Sequence, residues 1–349
     1  MFDLEKLVRA NIQKLTPYSS ARHEFKGEAS VFLDANENSN GSPLEEAFNR
    51  YPDPLQWALK FALVKIKGVP AENIFIGNGS DEVIDLAYRI FCNPGKDNVI
   101  ICPPTYGMYA VSAGINDVEV RKAVMTADFQ LDLESIMQLT DANTKLLFIC
   151  SPNNPTGNNI NREDIEWLLN NFPGIIIIDE AYINYSKQKS FIAELTEYPN
   201  LIVMQTLSKA WGLAALRIGL GFASLDIIDL FNKVKPPYNI NKASQELAME
   251  ALKNTSLINA WIRDTVNERI KLEEALIKYP FVEKVYPADA NFILVKVEDA
   301  NSLYDYLSGK GVIVRNRSRE MRCENCLRIT VGTQAENKKL LELLDALNN

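Results

Sequence analysis

The middle of the chain alternates short, continuous apolar runs with longer amphipathic runs, and this alternation limits the fold more than any other feature. The apolar runs include KLLFIC at 145–150, GIIII at 174–178 and NLIVMQ at 200–205. Amphipathic stretches such as SDEVIDLAYRIF at 80–91 and NREDIEWLLNNF at 161–172 precede or separate them. Strands that are apolar on both faces are typical of a parallel sheet covered by helices. The alternation therefore predicts an α/β protein with a mostly parallel sheet.

The last hundred residues have a different pattern and predict a second, smaller unit. A long amphipathic helix at 254–279 is followed by three strand-like runs, NFILVKV, GVIVRNR and CLRITVG. Near the other end of the chain, SVFLDANEN at 30–38 looks like a further strand that would pack with this unit. We therefore predict a large domain over 46–253 and a small domain built from 1–45 and 254–349.

Charge and hydropathy exclude several classes of protein. The 349 residues carry a net charge of −8, from 45 acidic and 37 basic residues spread along the chain. The absence of a long basic run argues against nucleic acid or an anionic membrane as partner. No apolar run approaches the ~20 residues of a membrane span, and the charged N-terminal stretch lacks the apolar core of a signal peptide. These features predict a cytoplasmic enzyme.

Cysteine and histidine usage narrows the chemistry further. An odd number of cysteines, five in all, indicates reduced thiols. Cys323 and Cys326 form one C-x-x-C pair, but a structural zinc site normally needs four ligands, so we predict no metal. The single histidine, His23, rules out a histidine pair as catalyst, and we expect it at the surface. A catalytic base would then be Lys, Asp, Glu or Tyr.

Unusual polar residues follow two of the predicted strands, where ligands bind in parallel sheets. GNGSDE at 77–82 opens a helix, whose free N–H groups suit a phosphate; alternatively, Ser80 is simply the helix N-cap. SPNNPTG at 151–157 presents Asn154, either on an ordered binding loop or on a plain turn.

Two further strand ends carry charged residues. Asp179 is either a solvated strand end or the partner of a buried cation, such as a protonated ring nitrogen of a cofactor. Lys209 either extends to water or is partly desolvated, which would make its amine a nucleophile toward carbonyls. Together these sites offer a phosphate cradle, a carboxylate for a pyridinium and an activated lysine, which pyridoxal 5'-phosphate (PLP) requires.

The motifs resemble those of the fold-type I PLP-dependent transferases along nearly the whole chain. SPNNPTG, IIIDEAY and TLSKAWGLAALRIG are similar to the signatures of that superfamily, in the same order. LTPYSSAR, LDANEN, RYPDP, GNGSDE and LRITVGT more narrowly resemble the histidinol-phosphate aminotransferase family. The resemblance implies a large domain with a seven-stranded, mostly parallel sheet, and PLP as the cofactor.

The resemblance implies roles for the residues around the cofactor ring. Lys209 would hold PLP covalently and move the proton during catalysis, while Asp179 would pair with the pyridinium nitrogen. Asn154 and Tyr182 would form hydrogen bonds with the phenolate oxygen, and Tyr106 would stack on the ring. The cofactor phosphate would be bound by Ser80, Asp81, Ser208 and Arg217.

The resemblance also implies a homodimer with shared active sites, because Tyr51 in RYPDP would reach the cofactor phosphate of the neighbouring subunit. Substrate anions would be bound by Arg328 in LRITVGT, with Arg315 and Tyr18 nearby and Asn36 as a further pocket residue. Without the motif, Arg328 would be read as a strand arginine on a solvated face. The loop at 316–326 has no assignment.

The implied reaction transfers the amino group of L-glutamate to imidazole acetol phosphate, giving 2-oxoglutarate and L-histidinol phosphate in histidine biosynthesis. A threonine-phosphate decarboxylase would share Lys209 and Asp179, and a broad aromatic aminotransferase is a further alternative. A transcriptional regulator would need an added helix-turn-helix module of ~60 residues. A non-catalytic binding protein would be expected to lack Lys209.

Overall fold

The predicted strands form a seven-stranded sheet in the computed structural model, which describes residues 2–18 and 30–348. In chain order the strands are β1 Ile74–Asn78, β2 Asn98–Ile101, β3 Glu119–Lys122, β4 Thr144–Cys150, β5 Ile175–Asp179, β6 Leu201–Thr206 and β7 Ile218–Phe222. Their order in the sheet is β1-β7-β6-β5-β4-β2-β3. β7 is antiparallel to both of its neighbours and the remaining pairs are parallel. The prediction of a mostly parallel seven-stranded sheet is confirmed.

Helices cover both faces of this sheet. They are α1 Leu4–Leu7, α2 Ala10–Gln13, α3 Trp57–Lys67, α4 Ser80–Phe91, α5 Met108–Ile115, α6 Leu133–Leu139, α7 Arg162–Asn171, α8 Leu225–Val234 and α9 Lys242–Leu252. The four isoleucines of β5 show why its sequence is continuously apolar. Ile176 and Ile178 pack into the core on one face, and Ile175 and Ile177 pack into the core on the other.

A four-stranded antiparallel sheet forms the second unit, in the order β10-β11-β9-β8. Its elements are α10 Thr255–Leu276, β8 Val282–Val285, β9 Phe292–Val297, α11 Ala300–Gly309, β10 Arg315–Asn316, β11 Cys326–Thr330 and α12 Gln334–Asn348. Its separate core includes Leu272 and Leu276 of α10 and Ile293 and Val295 of β9. The division near residue 253 stays a prediction.

The N-terminal segment differs from the expectation that residues 1–45 belong to the small unit. Leu7, Val8 and Ile12 pack into the core of the large sheet beside α4. The Arg9 N–H also donates to the carbonyl of Ile90 at 3.0 Å. These apolar side chains form a stripe on two short helices, and the outer surface of α4 buries that stripe. Residues 30–38 form no strand, and His23 lies outside the described residues.

The sheet brings the polar strand ends together at one edge. Cys150 lies opposite Asp179 in neighbouring strands, and β6 ends beside them at Thr206. On the far side of β6, Gly219 of β7 pairs with Thr206 and with Gly77 of β1. A Cβ atom on Gly219 would overlap the backbone of Gly79 and the amide nitrogen of Ser80, so glycine permits α4 to begin directly against the sheet.

We expect Gly219→Ala to lower the free energy of unfolding by about 1–3 kcal/mol, because the added methyl group forces backbone apart. Chemical denaturation measures the change. Gly221→Ala is the matched control on the same strand, since its added Cβ would lie 3.4 Å from the nearest atom, a methyl group of Val83. Equal losses in the two variants would contradict this account of the α4 start.

Candidate active site

A cavity of about 330 Å³ opens at the carboxyl edge of the large sheet and extends to the β10–β11 hairpin. Eleven residues predicted from the sequence line it: Ser80, Asp81, Tyr106, Asn154, Asp179, Tyr182, Ser208, Lys209, Arg217, Arg315 and Arg328. Four other lining residues carry no sequence prediction: Cys150, Ala181, Thr206 and Arg317. The fold therefore joins motifs that are separated by up to about 250 residues in the chain into one site.

Lys209 follows β6 and faces the cavity, with its Nζ 5.7 Å from the centre of the Tyr182 ring. The surrounding protein removes part of the hydration of the amine and lowers its pKa, although the side chain is exposed to the cavity. The positive charge of Arg328 also lowers this pKa, and the carboxylate of Asp179 opposes both effects. A lowered pKa increases the neutral, nucleophilic fraction of the amine.

Asp179 ends β5 and is 4% exposed. The hydroxyl of Tyr109 donates to Oδ2 at 2.7 Å, and the Ala181 N–H donates to Oδ1 at 3.0 Å. Burial raises the pKa of this carboxyl group, and the two hydrogen bonds oppose that effect. Within the described part of the chain no Lys or Arg forms an ion pair with Asp179. A buried carboxylate in this state favours a cationic ligand beside it.

Hydrogen-bond donors for an anion lie at the start of α4. Gly79, with a φ of 75°, is the N-cap and provides no capping side chain, so the alternative of Ser80 as N-cap is wrong. Arg217 Nη2 lies 3.3 Å from Asp81 Oδ2, and the Tyr106 hydroxyl donates to Asp81 Oδ1 at 3.1 Å. The free N–H groups of the first turn and the Arg217 guanidinium suit a phosphate.

Arg328 lies at the other end of the cavity, on β11. Its Nη1 donates to Asn154 Oδ1 at 2.5 Å, and its guanidinium lies 5.2 Å from the centre of the Phe292 ring. Arg315 of β10 lies opposite Arg328 in the strand pairing. Arg317 belongs to the stretch that had no sequence assignment. This end of the cavity is therefore built to receive an anion.

Three residues of the sequence prediction lie outside this cavity in the single chain. Tyr51 and Asn36 line a second cavity of about 500 Å³, where the ring of Tyr51 stacks on Tyr238 with 4.4 Å between centroids. Tyr18 is 76% exposed. Their roles with cofactor and substrate stay predictions.

Neither a metal site nor a membrane-spanning helix is present among the residues that the structure describes. No group of three or more His, Cys, Asp or Glu side chains among them is arranged to hold a metal ion. Cys323 and Cys326 are both fully buried thiols. In residues 2–18 and 30–348, no helix combines the length and the apolar character that a membrane crossing requires.

The polar and charged groups in the cavity fit PLP. An amine for the aldehyde, a buried carboxylate for the ring nitrogen and N–H donors for the phosphate surround one space. The unpaired, desolvated carboxylate of Asp179 is the observation that favours this cofactor, since a pyridinium would supply the missing positive charge.

Comparison with known proteins identifies the class to which this site belongs. The sequence model of the family "Aminotransferase class I and II" matches residues 29–344, and the chain belongs to that family. The histidinol-phosphate aminotransferase of Cytophaga hutchinsonii is 52% identical over 98% of this chain and 99% of its own length. Within the class, the chain therefore belongs to the histidinol-phosphate aminotransferases.

Solved structures agree with the fold. The histidinol-phosphate aminotransferase from Clostridium acetobutylicum matches with a TM-score of 0.80 and 26% identity, over 86% of this chain and 91% of that one. The enzyme from Sinorhizobium meliloti, solved in complex with PLP, matches with a TM-score of 0.78 and 23% identity. The latter comparison covers 86% of this chain and 84% of that one, and it supports the fold.

We expect Asp179→Asn to stabilise the cofactor-free protein increasingly as the pH rises. Burial raises the pKa of Asp179 above the 3.8 of the unfolded chain. The native protein therefore loses stability as the pH rises from about 4 to the folded-state pKa, by about 1.4 kcal/mol for each unit of the shift. Asparagine does not titrate in this range, so the variant avoids the loss.

Urea denaturation of both proteins at pH 4 and pH 8 measures this difference. Asp128→Asn is the control, because it removes the same charge from an exposed side chain. The two proteins should differ in their free energy of unfolding by different amounts at the two pH values. The same difference at both would contradict the assignment of Asp179 as a desolvated carboxylate.

Proposed function

We propose that this chain uses PLP to transfer an amino group between L-glutamate and imidazole acetol phosphate, giving 2-oxoglutarate and L-histidinol phosphate. The observation that carries the proposal is the placement of Lys209, Asp179 and Arg328 in one cavity, with the lysine amine partly desolvated. The 52% identity with a histidinol-phosphate aminotransferase supports this choice of substrates. The reaction would belong to histidine biosynthesis.

Each residue around the reacting atoms has a task that follows from its surroundings. Bound PLP supplies an electron sink for negative charge at the substrate Cα. Lys209 Nζ, when neutral, would accept the proton from that Cα and, as an ammonium, would deliver it to carbon C4' of the cofactor. Asp179 holds positive charge at the ring nitrogen through its buried carboxylate. Burial raises the pKa of Tyr182, so its hydroxyl stays protonated and can donate a hydrogen bond.

Arg328 and Asn154 would orient the substrate. The guanidinium presents two parallel N–H donors, which match the two oxygens of a carboxylate or two of the oxygens of a phosphate. Arg328 Nη1 already contacts Asn154 Oδ1, so the amide would keep the guanidinium in place as the anion binds. Ser80, Asp81, Ser208 and Arg217 would hold the cofactor phosphate, and Tyr106 would stack on the ring.

We also propose a homodimer with shared active sites, working in the cytoplasm. Tyr51 is half exposed and does not line the cavity of its own chain, so it is free to reach the cofactor phosphate of a partner. Asn36 and Tyr18 would bind substrate, either in the active site of their own chain or in that of the partner. The cytoplasm is supported by five unpaired cysteines, since thiols persist in reducing compartments.

We expect Lys209→Ala to abolish the visible absorption of the lysine-bound cofactor and to lower the transamination rate by about 10³-fold or more. Lys187→Ala, which removes an exposed lysine outside the cavity, is the control and should behave as the native protein.

Separate additions of L-histidinol phosphate, L-threonine phosphate and L-phenylalanine to the PLP form identify the substrate. Conversion to the pyridoxamine form by L-histidinol phosphate supports the proposed reaction. Release of CO2 from L-threonine phosphate would instead identify a decarboxylase, and preferential reaction with L-phenylalanine an aromatic aminotransferase. A native protein that takes up no PLP would refute all three.

We expect Tyr51→Phe to raise the dissociation constant for PLP about tenfold, through loss of a hydrogen bond to the phosphate. Co-expression with the Lys209→Ala chain tests whether the residue acts across subunits. In the mixed dimer, the functional Lys209 receives a native Tyr51 from its partner, so a spectroscopic titration should recover the native PLP affinity. Unchanged weak affinity in the mixed dimer, or a monomer in sedimentation, would contradict shared sites.

A further inference from the structure

A third arginine shares the substrate end of the cavity with Arg315 and Arg328. β10 and β11 pair in antiparallel register with Arg315 opposite Arg328. The backbone N–H of Arg317 donates to the backbone carbonyl of Cys326 at 2.8 Å, which continues this pairing beyond β10. Alternate residues of a strand point to the same face, so Arg315 and Arg317 lie on one side of the hairpin. Both line the cavity together with Arg328.

The protein itself provides few hydrogen-bond or ion-pair partners for the Arg317 guanidinium. Its Nη1 lies 3.5 Å from Glu320 Oε1, and the side chain of Glu320 is 41% exposed. The Arg317 side chain is 19% exposed, and a long contact to a half-exposed partner satisfies its guanidinium only in part. The Nε atoms of Arg317 and Arg328 are buried and have no hydrogen-bond partner among the described residues. Because these Nε atoms are closed to solvent, an anionic ligand in the cavity would bind the Nη groups of the two guanidiniums, which line it.

The balance of charge in the cavity supports the same conclusion. Five cationic side chains line it, against two carboxylates, and one of those carboxylates, Asp81, is paired with Arg217. Burial lowers the pKa of the Arg328 guanidinium, and the nearby charge of Arg317 lowers it further. Two like charges in one partly desolvated space cost free energy, and an anionic ligand between them offsets that cost more fully the more negative charge it carries.

We propose that Arg317 determines substrate specificity by binding, together with Arg328, the phosphate group of an amino phosphate substrate. The proposal rests on the proposed function and deepens it. A carboxylate has two oxygens, and the fork of Arg328 satisfies both. A phosphate ester has three terminal oxygens and up to two negative charges, so one oxygen and about one charge remain for a second guanidinium. Arg317 therefore favours histidinol phosphate over an α-carboxylate substrate such as glutamate.

Arg317→Gln and Arg317→Lys test this role. Half-reaction kinetics would give kcat and KM for L-histidinol phosphate and for L-glutamate. Calorimetric titration of the same substitutions in the Lys209→Ala protein would give dissociation constants without turnover. We expect Arg317→Gln to raise KM and the dissociation constant for L-histidinol phosphate about 10- to 100-fold, with kcat changed much less.

The same variant should raise the constants for L-glutamate by less than about threefold, because the fork of Arg328 remains. Arg317→Lys should recover part of the loss, since it restores the charge without the planar fork. Arg319→Gln is the matched control, because it removes an exposed arginine of the same loop that does not line the cavity. It should leave KM and the dissociation constant unchanged for both substrates. Thermal melting would confirm that each variant is folded.

Equal losses for both substrates, or no loss for either, would overturn the proposal. The native protein separates this failure from failure of the proposed function. If the native protein does not convert L-histidinol phosphate, the proposed function fails, and L-threonine phosphate takes its place in the same comparison of phosphate with carboxylate. If the native protein converts it and Arg317→Gln does so equally well, the role of Arg317 is refuted.

Discussion

The burial of one carboxylate at the end of the central strand is the constraint on which the site depends. Asp179 lies between β4 and β6, where both faces of the sheet are covered, so water cannot stabilise its charge. The Tyr109 hydroxyl and the Ala181 N–H supply hydrogen bonds but no positive charge. The fold thus keeps a buried carboxylate without an ion-pair partner at the point where a cationic ring nitrogen would bind. A ligand that places a positive charge beside this carboxylate stabilises the folded chain as it binds.

Both ends of the cavity carry an excess of positive charge, opposite in sign to Asp179, so each end suits an anionic group of a ligand. Arg217 and the first turn of α4 lie at one end, and the arginines of the β10–β11 hairpin lie at the other. Lys209 is between these groups, and Arg328 contributes to lowering its pKa. The guanidinium groups therefore have two effects: they attract anions and they keep the lysine amine partly neutral.

The sequence predicted the parts of this site that depend on local pattern. Apolar runs identified the strands, and motifs at their ends identified eleven residues that line the cavity. Tyr109 was missed because its contact with Asp179 joins residues 70 positions apart, which no local pattern encodes. Arg317 was missed because its direction depends on the register of a short hairpin. The packing of Ile12 against the large unit likewise depends on which surface is available to bury it.

The cofactor-binding and substrate-binding groups are carried by different sheets. Lys209, Asp179 and Arg217 belong to the seven-stranded sheet and its connections, whereas Arg315, Arg317 and Arg328 belong to the hairpin of the four-stranded sheet. Substitutions in the hairpin at Arg315 or Arg317 therefore leave the groups that carry out proton transfer in place, whereas a change at Arg328 would also alter the pKa of Lys209. This separation offers a physical route by which one ancestral scaffold diversifies: natural selection can alter which amine donor is accepted while the chemistry is inherited intact.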